Sequence, residues 1–330
     1  MKKILLTQPI PEQVIKPLRS RFEFILSPDP SDETVRKYIS GVDGLLVRTG
    51  TRLSRETIFA ARSLKVIGRT GVGVDNVDIE AASEAGIPVC YTPEANSVSV
   101  AEHTMAFILA ISKNLLNLDR ETKQGNWKVR DRSHAIDLSG KTLGLLGFGR
   151  IGRAMFEIAK VFGIEVSIYD PFIPQELIPN NVKFFTNLKE FVSAVDIISV
   201  HIPLSPETKG IIDYDTIIAM KKDAILINTS RGSIINERDL EKALEEGWLS
   251  GVGLDVFENE PHPKNCGLNK FDRVYMTPHS AALTKECRLR MATHAMQGIV
   301  DVLEKRSPQW VFNQRELTNL CKEESFNGNR

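Results

Sequence analysis

Several features are scarce in this 330-residue chain. Long apolar runs are missing, and none approaches the roughly 20 residues that a membrane-spanning helix needs. The opening Met1-Lys2-Lys3-Ile4-Leu5-Leu6 begins as a secretory signal would, yet Thr7-Gln8-Pro9 ends the apolar stretch far short of the roughly 7 to 15 residues required. It reads as a first β-strand. Cysteines are few (Cys90, Cys266, Cys287, Cys321), far apart and without a C-x-x-C pair. That spacing speaks against a disulfide scaffold or a structural zinc site. The cysteines are expected to be ordinary apolar packing in a reduced, cytoplasmic protein without a metal. An excess of either charge is also missing, because 42 Lys plus Arg meet 42 Asp plus Glu. Nucleic-acid-binding domains usually carry a basic excess, so neither nucleic acid nor membrane is an expected partner. No internal repeat or low-complexity tract interrupts the chain, and the polar end, Lys322 to Arg330, is expected to fray.

What is present points to ordinary globular folding. Apolar residues make up 42% and charged residues 25%, close to the globular average, and the length suits two domains of about 150 residues. Short β-branched runs alternate with helical spacing. In the first part strands are expected at Lys3–Gln8, Phe22–Leu26, Gly44–Val47, Lys65–Gly68 and Val89–Tyr91, with helices such as Asp32–Ile39, Arg55–Ala61 and Ile79–Glu84 between them. Such alternation means βαβ units and a parallel sheet covered on both faces. A long helix is expected from about Ser99 to Leu116, followed by a polar, irregular segment, Asp119 to Ser139, with the isolated aromatic Trp127. Loops of that length are commonly functional or interfacial. Strands then resume at Thr142–Leu146, Glu165–Tyr169, Asp196–Ser199, Ala224–Ile227, Gly251–Leu254 and Val274–Met276, before a last helix from Lys285 to Glu304.

Gly147-Phe148-Gly149-Arg150-Ile151-Gly152 matches G-x-G-x-x-G. The pattern gains its meaning from context: it follows a strand, opens a helix, and the next strand ends at Asp170, 18 residues beyond Gly152. This is the dinucleotide-binding arrangement. Gly147 permits the tight turn, Gly149 lets the backbone approach a pyrophosphate, and Gly152 allows helix and strand to pack closely. Arg150 and Ile151 begin the helix whose free N–H groups would meet the diphosphate. Asp170 could accept both ribose hydroxyls of NAD and would repel the 2′-phosphate of NADP. Since Pro171, Phe172 and Ile173 follow without a cation, NAD is the expected cofactor.

Three polar clusters end strands in the same half of the chain: Asn228 to Gly232, Asp255 to Pro261, and Thr277 to Ser280. In open α/β sheets ligands bind beyond the carboxyl ends of strands. An Arg, an acid and a His are the set that hydride transfer to a 2-keto acid requires. The guanidinium of Arg231 would hold the substrate carboxylate in a fork. The His279 imidazolium would give its proton to the carbonyl oxygen, and a carboxylate would orient that ring and raise its affinity for the proton. Glu258 and Glu260 compete for the acid role. The remaining histidines are assigned to packing or solvent (His103, His134, His262, His294), except His201, which is placed near the cofactor.

Further stretches carry a specific likeness: Gly68 to Asp78, Asn96 to His103, and His201-Ile202-Pro203-Leu204 with Glu207-Thr208-Lys209-Gly210. With them the chain resembles the D-isomer-specific 2-hydroxyacid dehydrogenase family, and most of all its phosphoglycerate dehydrogenase branch. The resemblance implies an α/β fold of two doubly wound parallel-sheet domains. A Rossmann NAD-binding domain (99–285) would be inserted into a flavodoxin-like substrate-binding domain (1–98 and 286–330). It also implies a homodimer formed through an arm at about 118–140. By the same resemblance Arg231, Glu260 and His279 carry catalysis, while His201, Ile202, Pro203, Thr208, Thr229, Ser230 and Asp255 line the cofactor. The expected chemistry is reversible hydride transfer between NAD(H) and a small 2-hydroxy/2-keto acid.

The substrate's anionic groups are assigned to the first part of the chain. Gly71-Val72-Gly73 follows a strand and could offer backbone N–H groups to a carboxylate, or be a simple turn. Arg48 and Arg69 both stand at strand ends, and guanidinium forks match phosphate oxygens. That favours 3-phosphoglycerate/phosphohydroxypyruvate; the alternative is that Arg48 binds only a carboxylate and Arg69 is structural, which fits a glyoxylate/hydroxypyruvate or D-lactate-type reductase. Lys128, Arg130 or Arg132 of the arm could add charge. Some relatives act instead as NAD-sensing co-repressors, an alternative of another class. The chain stops soon after Val311-Phe312-Asn313, so no regulatory domain and no serine inhibition are expected.

Overall fold

Apolar residues at alternate positions of β1 (Lys2–Leu6) face opposite ways, Leu5 into one core and Ile4 and Leu6 into another. This is the period-two signature of a strand buried on both faces. The computed structural model, which describes residues 1–180 and 182–319, pairs β1 with β2 (Phe22–Leu26) and β3 (Gly44–Val47), then β4 (Val66–Arg69) and β5 (Val89–Cys90). All pairs are parallel, in the order β2-β1-β3-β4-β5. The helix Lys285–Leu303 covers one face through Ala295, Met296, Ile299 and Leu303. The chain then bridges Val311 to Cys90, and the buried Asn313 side chain accepts the Val89 N–H. Cys90 and Cys287 are buried thiols outside any disulfide among the described residues; burial pushes the Cys90 thiol up to about 12. Cys321 and the polar end from Lys322 lie outside the described residues.

The second sheet comprises β6 (Thr142–Leu146), β7 (Glu165–Tyr169), β8 (Lys183–Phe185), β9 (Ile197–Val200), β10 (Ala224–Asn228), β11 (Leu249–Leu254) and β12 (Val274–Met276). Its order is β12-β11-β10-β9-β6-β7-β8, again wholly parallel. The winding reverses between β6 and β9, so the loops after these two strands diverge at a topological switch point. Helices Ser97–Ser112 and Arg150–Val161 pack on one face through Ala101, Met105, Ile108, Met155 and Ala159. A separate core around Phe191, Ile198, Leu226 and Leu240 fills the other. The chain divides into two units, Met1–Asn96 with the segment from Leu283 onward, and Ser97–Ala282.

Several elements differ from the sequence expectation. The long helix is two: Ser97–Ser112 and Leu115–Lys123, broken where Asn114 takes φ 51°, a left-handed conformation that Asn tolerates. The second helix absorbs the start of the segment read as irregular, and a 3₁₀ turn, Trp127–Arg132, forms within the rest of it. β8 (Lys183–Phe185) is a short strand at the sheet edge that the sequence expectation does not include. β4 ends on Arg69 rather than before it, which changes where that side chain lies.

Candidate active site

The loop after β6 is shaped by its glycines. Gly147 adopts φ 101°, and a Cβ there would come within 2.9 Å of the His201 backbone. At Gly152 a Cβ would meet the Gly147 carbonyl oxygen at 2.3 Å, so only glycine lets the helix start this close to the turn. Gly149 opens onto free space. It precedes the helix Arg150–Val161, so the loop delivers the chain directly into a helix N-terminus. Asp170, just past β7, accepts Phe148 N–H at 2.9 Å through Oδ2 and Phe172 N–H at 3.0 Å through Oδ1. Each oxygen retains a second lone pair, enough for two ribose hydroxyls. Turn, open backbone, helix start and acid together fit a dinucleotide.

The loop after β9 runs alongside. His201 N–H donates to Leu146 O at 2.7 Å, and its ring Nε2 meets Ser199 Oγ at 2.9 Å. Burial pushes this imidazole down to about 3, so it is neutral at any physiological pH and is not a proton donor for catalysis. Thr208 donates to Pro203 O at 2.7 Å and accepts Ser205 N–H at 2.7 Å, so it closes the 203–208 loop on itself. Ser230 Oγ donates to Ile202 O, tying this loop to the next one.

That next loop, after β10, presents Arg231. The fully buried Asn228 accepts Ser230 N–H at 3.0 Å and donates to Arg231 O at 2.9 Å, which fixes the turn. Arg231 Nη1 donates to Ser230 O at 2.8 Å. A Cβ at Gly232 would stand 1.9 Å from the Phe257 carbonyl carbon, so its absence brings the Arg231 turn against the loop after β11. There Glu260 accepts Phe257 N–H at 3.1 Å, and its Oε2 is 2.7 Å from His279 Nδ1. Partial burial alone would push this carboxyl up. The His279 hydrogen bond and charge, the Phe257 N–H and the Arg231 charge outweigh it and hold Glu260 below the usual carboxylate range. Glu258 is elsewhere: it and Glu237 each accept the other's backbone N–H, at 3.0 and 2.7 Å. The acid brought to His279 is therefore Glu260.

His279 has φ 50°, unusual for a non-glycine residue. Such backbone persists only where its surroundings over-determine it, and here Asp255 does so. Only 1% exposed, Asp255 accepts Thr277 Oγ1 at 2.5 Å, Ser280 N–H at 2.7 Å and Ala281 N–H at 2.9 Å, while its carbonyl accepts His279 N–H at 2.8 Å. Its carboxylate is turned into the loop that carries His279. Thr229, 8% exposed, meets Thr104 Oγ1 at 2.9 Å. Sequence reasoning missed His103, read as packing or solvent, whose Nε2 is 2.9 Å from Thr277 Oγ1. The signal available was its place one residue before Thr104 on the same helix.

In the first unit the two arginines diverge. Arg48 is half-buried and donates to Pro9 O at 2.9 Å. Burial and the Arg288 charge lower its affinity for its proton, and both costs would be relieved by a bound anion. Arg69 is 7% exposed and spreads its guanidinium over Thr70 O (2.8 Å), Thr49 Oγ1 (3.3 Å) and Asn76 Oδ1 (3.3 Å). It lies against Gly71, where a Cβ would fall 1.5 Å from Arg69 Nη1. Gly71 takes φ 144° and gives its own N–H to Arg69 O at 3.1 Å, which leaves the N–H groups of Val72 and Gly73 as the backbone donors a carboxylate could use.

Comparison with known proteins places the chain in a family. Residues 105–281 match the family model described as "D-isomer specific 2-hydroxyacid dehydrogenase, NAD binding domain". A D-3-phosphoglycerate dehydrogenase of Methanocaldococcus jannaschii is 42% identical over 96% of this chain, which spans 60% of that relative's length. A glyoxylate reductase of Thermofilum pendens is 37% identical, over 96% of this chain and 95% of its own. Among solved structures, a Thermus thermophilus protein superposes with TM-score 0.88 at 34% identity, over 94% of this chain and 99% of that one. The matched NAD binding domain identifies NAD(H) as the cofactor. Among the described residues no helix is long and apolar enough to cross a membrane.

Proposed function

The chain belongs to the D-isomer specific 2-hydroxyacid dehydrogenase family, and from that premise we propose that it reversibly interconverts a 2-hydroxy acid and its 2-keto acid with NAD(H). The observation that carries the reading is the 2.7 Å pairing of Glu260 Oε2 with His279 Nδ1, within reach of the Arg231 charge. Arg231 holds the substrate carboxylate. Glu260 keeps a hydrogen on Nδ1 of His279, so that Nε2 can deliver a proton to the carbonyl oxygen or remove one from the hydroxyl. The pre-set left-handed backbone of His279 fixes the direction of that Nε2. When bound, NADH supplies the hydride and NAD⁺ takes it. Gly147, Gly149, Arg150, Ile151 and Gly152 hold the diphosphate and Asp170 the ribose. His201, Ile202, Pro203, Thr208, Thr229 and Ser230 shape the remaining cofactor wall, with Asp255 behind it. Arg48 and the Gly71-Val72-Gly73 turn receive the substrate's anionic groups, and Arg69 braces that turn.

The substrate favoured is 3-phosphoglycerate/phosphohydroxypyruvate, on the 42% identity to an enzyme of that name. A glyoxylate or hydroxypyruvate reductase is the second reading, supported by the relative matched over 95% of its length and by the committed guanidinium of Arg69. The proposal includes a cytoplasmic homodimer assembled through residues 118–140, from a substrate-binding domain of 1–98 and 286–330 and a cofactor domain of 99–285. The test is oxidation of NADH and NADPH with a panel of glyoxylate, hydroxypyruvate, pyruvate and phosphohydroxypyruvate. Highest kcat/KM on phosphohydroxypyruvate supports the first reading, and highest on glyoxylate the second. Failure with every 2-keto acid, despite NADH binding, overturns the enzyme assignment.

A further inference from the structure

Two neighbouring residues of the helix Ser97–Ser112, neither of them assigned to the chemistry above, reach two different loops of the site. Thr104 Oγ1 donates to Val100 O at 2.8 Å within its own helix, so its lone pairs are left to accept the Thr229 hydroxyl at 2.9 Å. Thr229 is two residues before Arg231. His103 Nε2 stands 2.9 Å from Thr277 Oγ1, two residues before His279. One turn of helix thus touches both the loop of the guanidinium and the loop of the imidazole.

The hydrogen positions at His103 follow from counting donors. Asp255 Oδ1 accepts Ser280 N–H, and Thr277 Oγ1 lies 2.5 Å from the same oxygen. Thr277 has a single hydroxyl hydrogen, and the shorter contact, to a carboxylate oxygen, takes it. The threonine oxygen can then only accept from His103, so His103 Nε2 carries hydrogen. A directed chain results: His103 Nε2–H to Thr277 Oγ1–H to Asp255 Oδ1. His103 Nε2 is also 3.8 Å from that carboxylate oxygen. The ring is held from the side by Phe107, edge-on at a centroid distance of 4.9 Å, so it has little freedom to turn away.

We propose that His103 is a positioning residue for His279: its Nε2–H fixes Thr277 and Asp255, which together hold His279 in its left-handed backbone and aim its ring at Glu260. The inference rests on the reading of His279 as the proton carrier. Without the His103 donor, Thr277 keeps its bond to Asp255 but its oxygen loses the donor that holds it from the other side, and the buried Asp255 carboxylate loses a ring N–H 3.8 Å away. The loop 277–281 would then relax from a conformation that is unfavourable for a residue with a Cβ. Because the glycine loop and Asp170 lie outside this network and Asp255 stands behind the cofactor wall, NADH affinity should change far less than kcat.

The test compares the full-length protein with His103→Phe, which keeps an aromatic ring against Phe107, and His103→Gln, whose amide N–H can reach Thr277. Three properties are read: kcat on the best 2-keto acid, NADH affinity by fluorescence, and the low-field NMR proton of the His279 Nδ1–H to Glu260 bond. In the Phe variant kcat should fall by about tenfold, the scale of one lost charge-linked hydrogen bond, with NADH affinity within about twofold and the Nδ1–H signal broadened or lost. The Gln variant should recover most of kcat and the signal. A Phe variant with wild-type kcat and an intact signal, or a Gln variant as impaired as Phe, overturns the inference. If the wild type turns over no 2-keto acid, the NMR signal still decides whether His103 holds the pair, so that failure of the enzyme reading is seen separately.

Discussion

Arginines end strands in both units, yet they are used in opposite ways. Arg231 leaves β10 on a turn whose backbone is fixed by the buried Asn228, to which its own Nη1 adds a bond to Ser230 O. Arg69 ends β4 and is itself the brace: its guanidinium lies against Gly71 and holds Thr70, Thr49 and Asn76. Position at the carboxyl end of a parallel strand therefore locates a side chain near a ligand, but not its use. The difference lies in what fixes the turn: the Asn228 side chain beside Arg231, and the guanidinium itself at Arg69. His279 repeats the pattern of Arg231, because Asp255 holds its backbone and leaves only Nδ1 engaged, with Glu260.

The largest effect is expected at the residue whose ring the surrounding loop serves. His279→Ala removes the proposed proton carrier, and general acid–base groups contribute about 10² to 10⁴ in rate. Turnover should nearly vanish while NADH affinity, measured by fluorescence titration, changes only a few-fold. Retention of about a tenth or more of wild-type kcat would end the assignment.

Next in size is the contrast between the first unit's arginines. Arg48→Ala should lower kcat/KM by about 10- to 100-fold on every acid tested, the scale of a lost hydrogen bond to a charged group. Arg69→Ala leaves three acceptors without their donor, so its main effect should be a lower unfolding midpoint, with kcat/KM reduced evenly across phosphorylated and unphosphorylated substrates. A selective loss on phosphohydroxypyruvate would show instead that Arg69 meets the phosphate, and would remove the contrast.

These cases indicate how far the sequence could be read. The Gly147 loop and Asp170 were legible because their chemistry demands fixed spacing: a Cβ at Gly152 collides with Gly147, and Asp170 must end the next strand. Arg231 and His279 were legible as strand-end residues. Between Glu258 and Glu260 spacing could not choose, since the choice depends on Glu237 capturing Glu258 from 21 residues away. His103 was hidden because a histidine between Glu102 and Thr104 on a helix reads as packing or solvent until the loop after β12 is laid over it. The helix break at Asn114 was hidden too, since Leu115 and Leu116 look like core and are instead 55% exposed.

Asp170 sharpens the comparison in the cofactor loop, where one side chain both braces and recognises. It accepts Phe148 and Phe172 N–H groups yet has lone pairs left for ribose. Asp170→Ala should cut the preference for NADH over NADPH by about tenfold, the loss of one charge-assisted bond and of the repulsion of the 2′-phosphate. Parallel kinetics with both cofactors measure it. Equal use of the two by the wild type would refute this role.

The smallest effect concerns the charge on Glu260. Burial opposes that charge, but the His279 bond and charge, the Phe257 N–H and Arg231 outweigh it and leave the folded carboxyl below the unfolded value of 4.5. A carboxylate with a lowered folded value binds its proton more weakly folded than unfolded, so it stabilises the native state above the unfolded value. That contribution must fade as pH falls below 4.5 and through the folded value. Glu260→Gln keeps an oxygen for Phe257 N–H and removes the charge, along with the second oxygen that faces His279 Nδ1. In urea denaturation at a series of pH values, wild type should exceed the variant by a constant margin between about pH 5 and 6, and the margin should shrink below about 4.5. Because the Glu260 side chain is 36% exposed, solvent screening keeps the margin small. A margin that grows as pH falls would mean that burial, and not the pairing with His279 and Arg231, governs this carboxyl, and Glu260 would then resemble Arg69, a group consumed by its surroundings, more than Arg231.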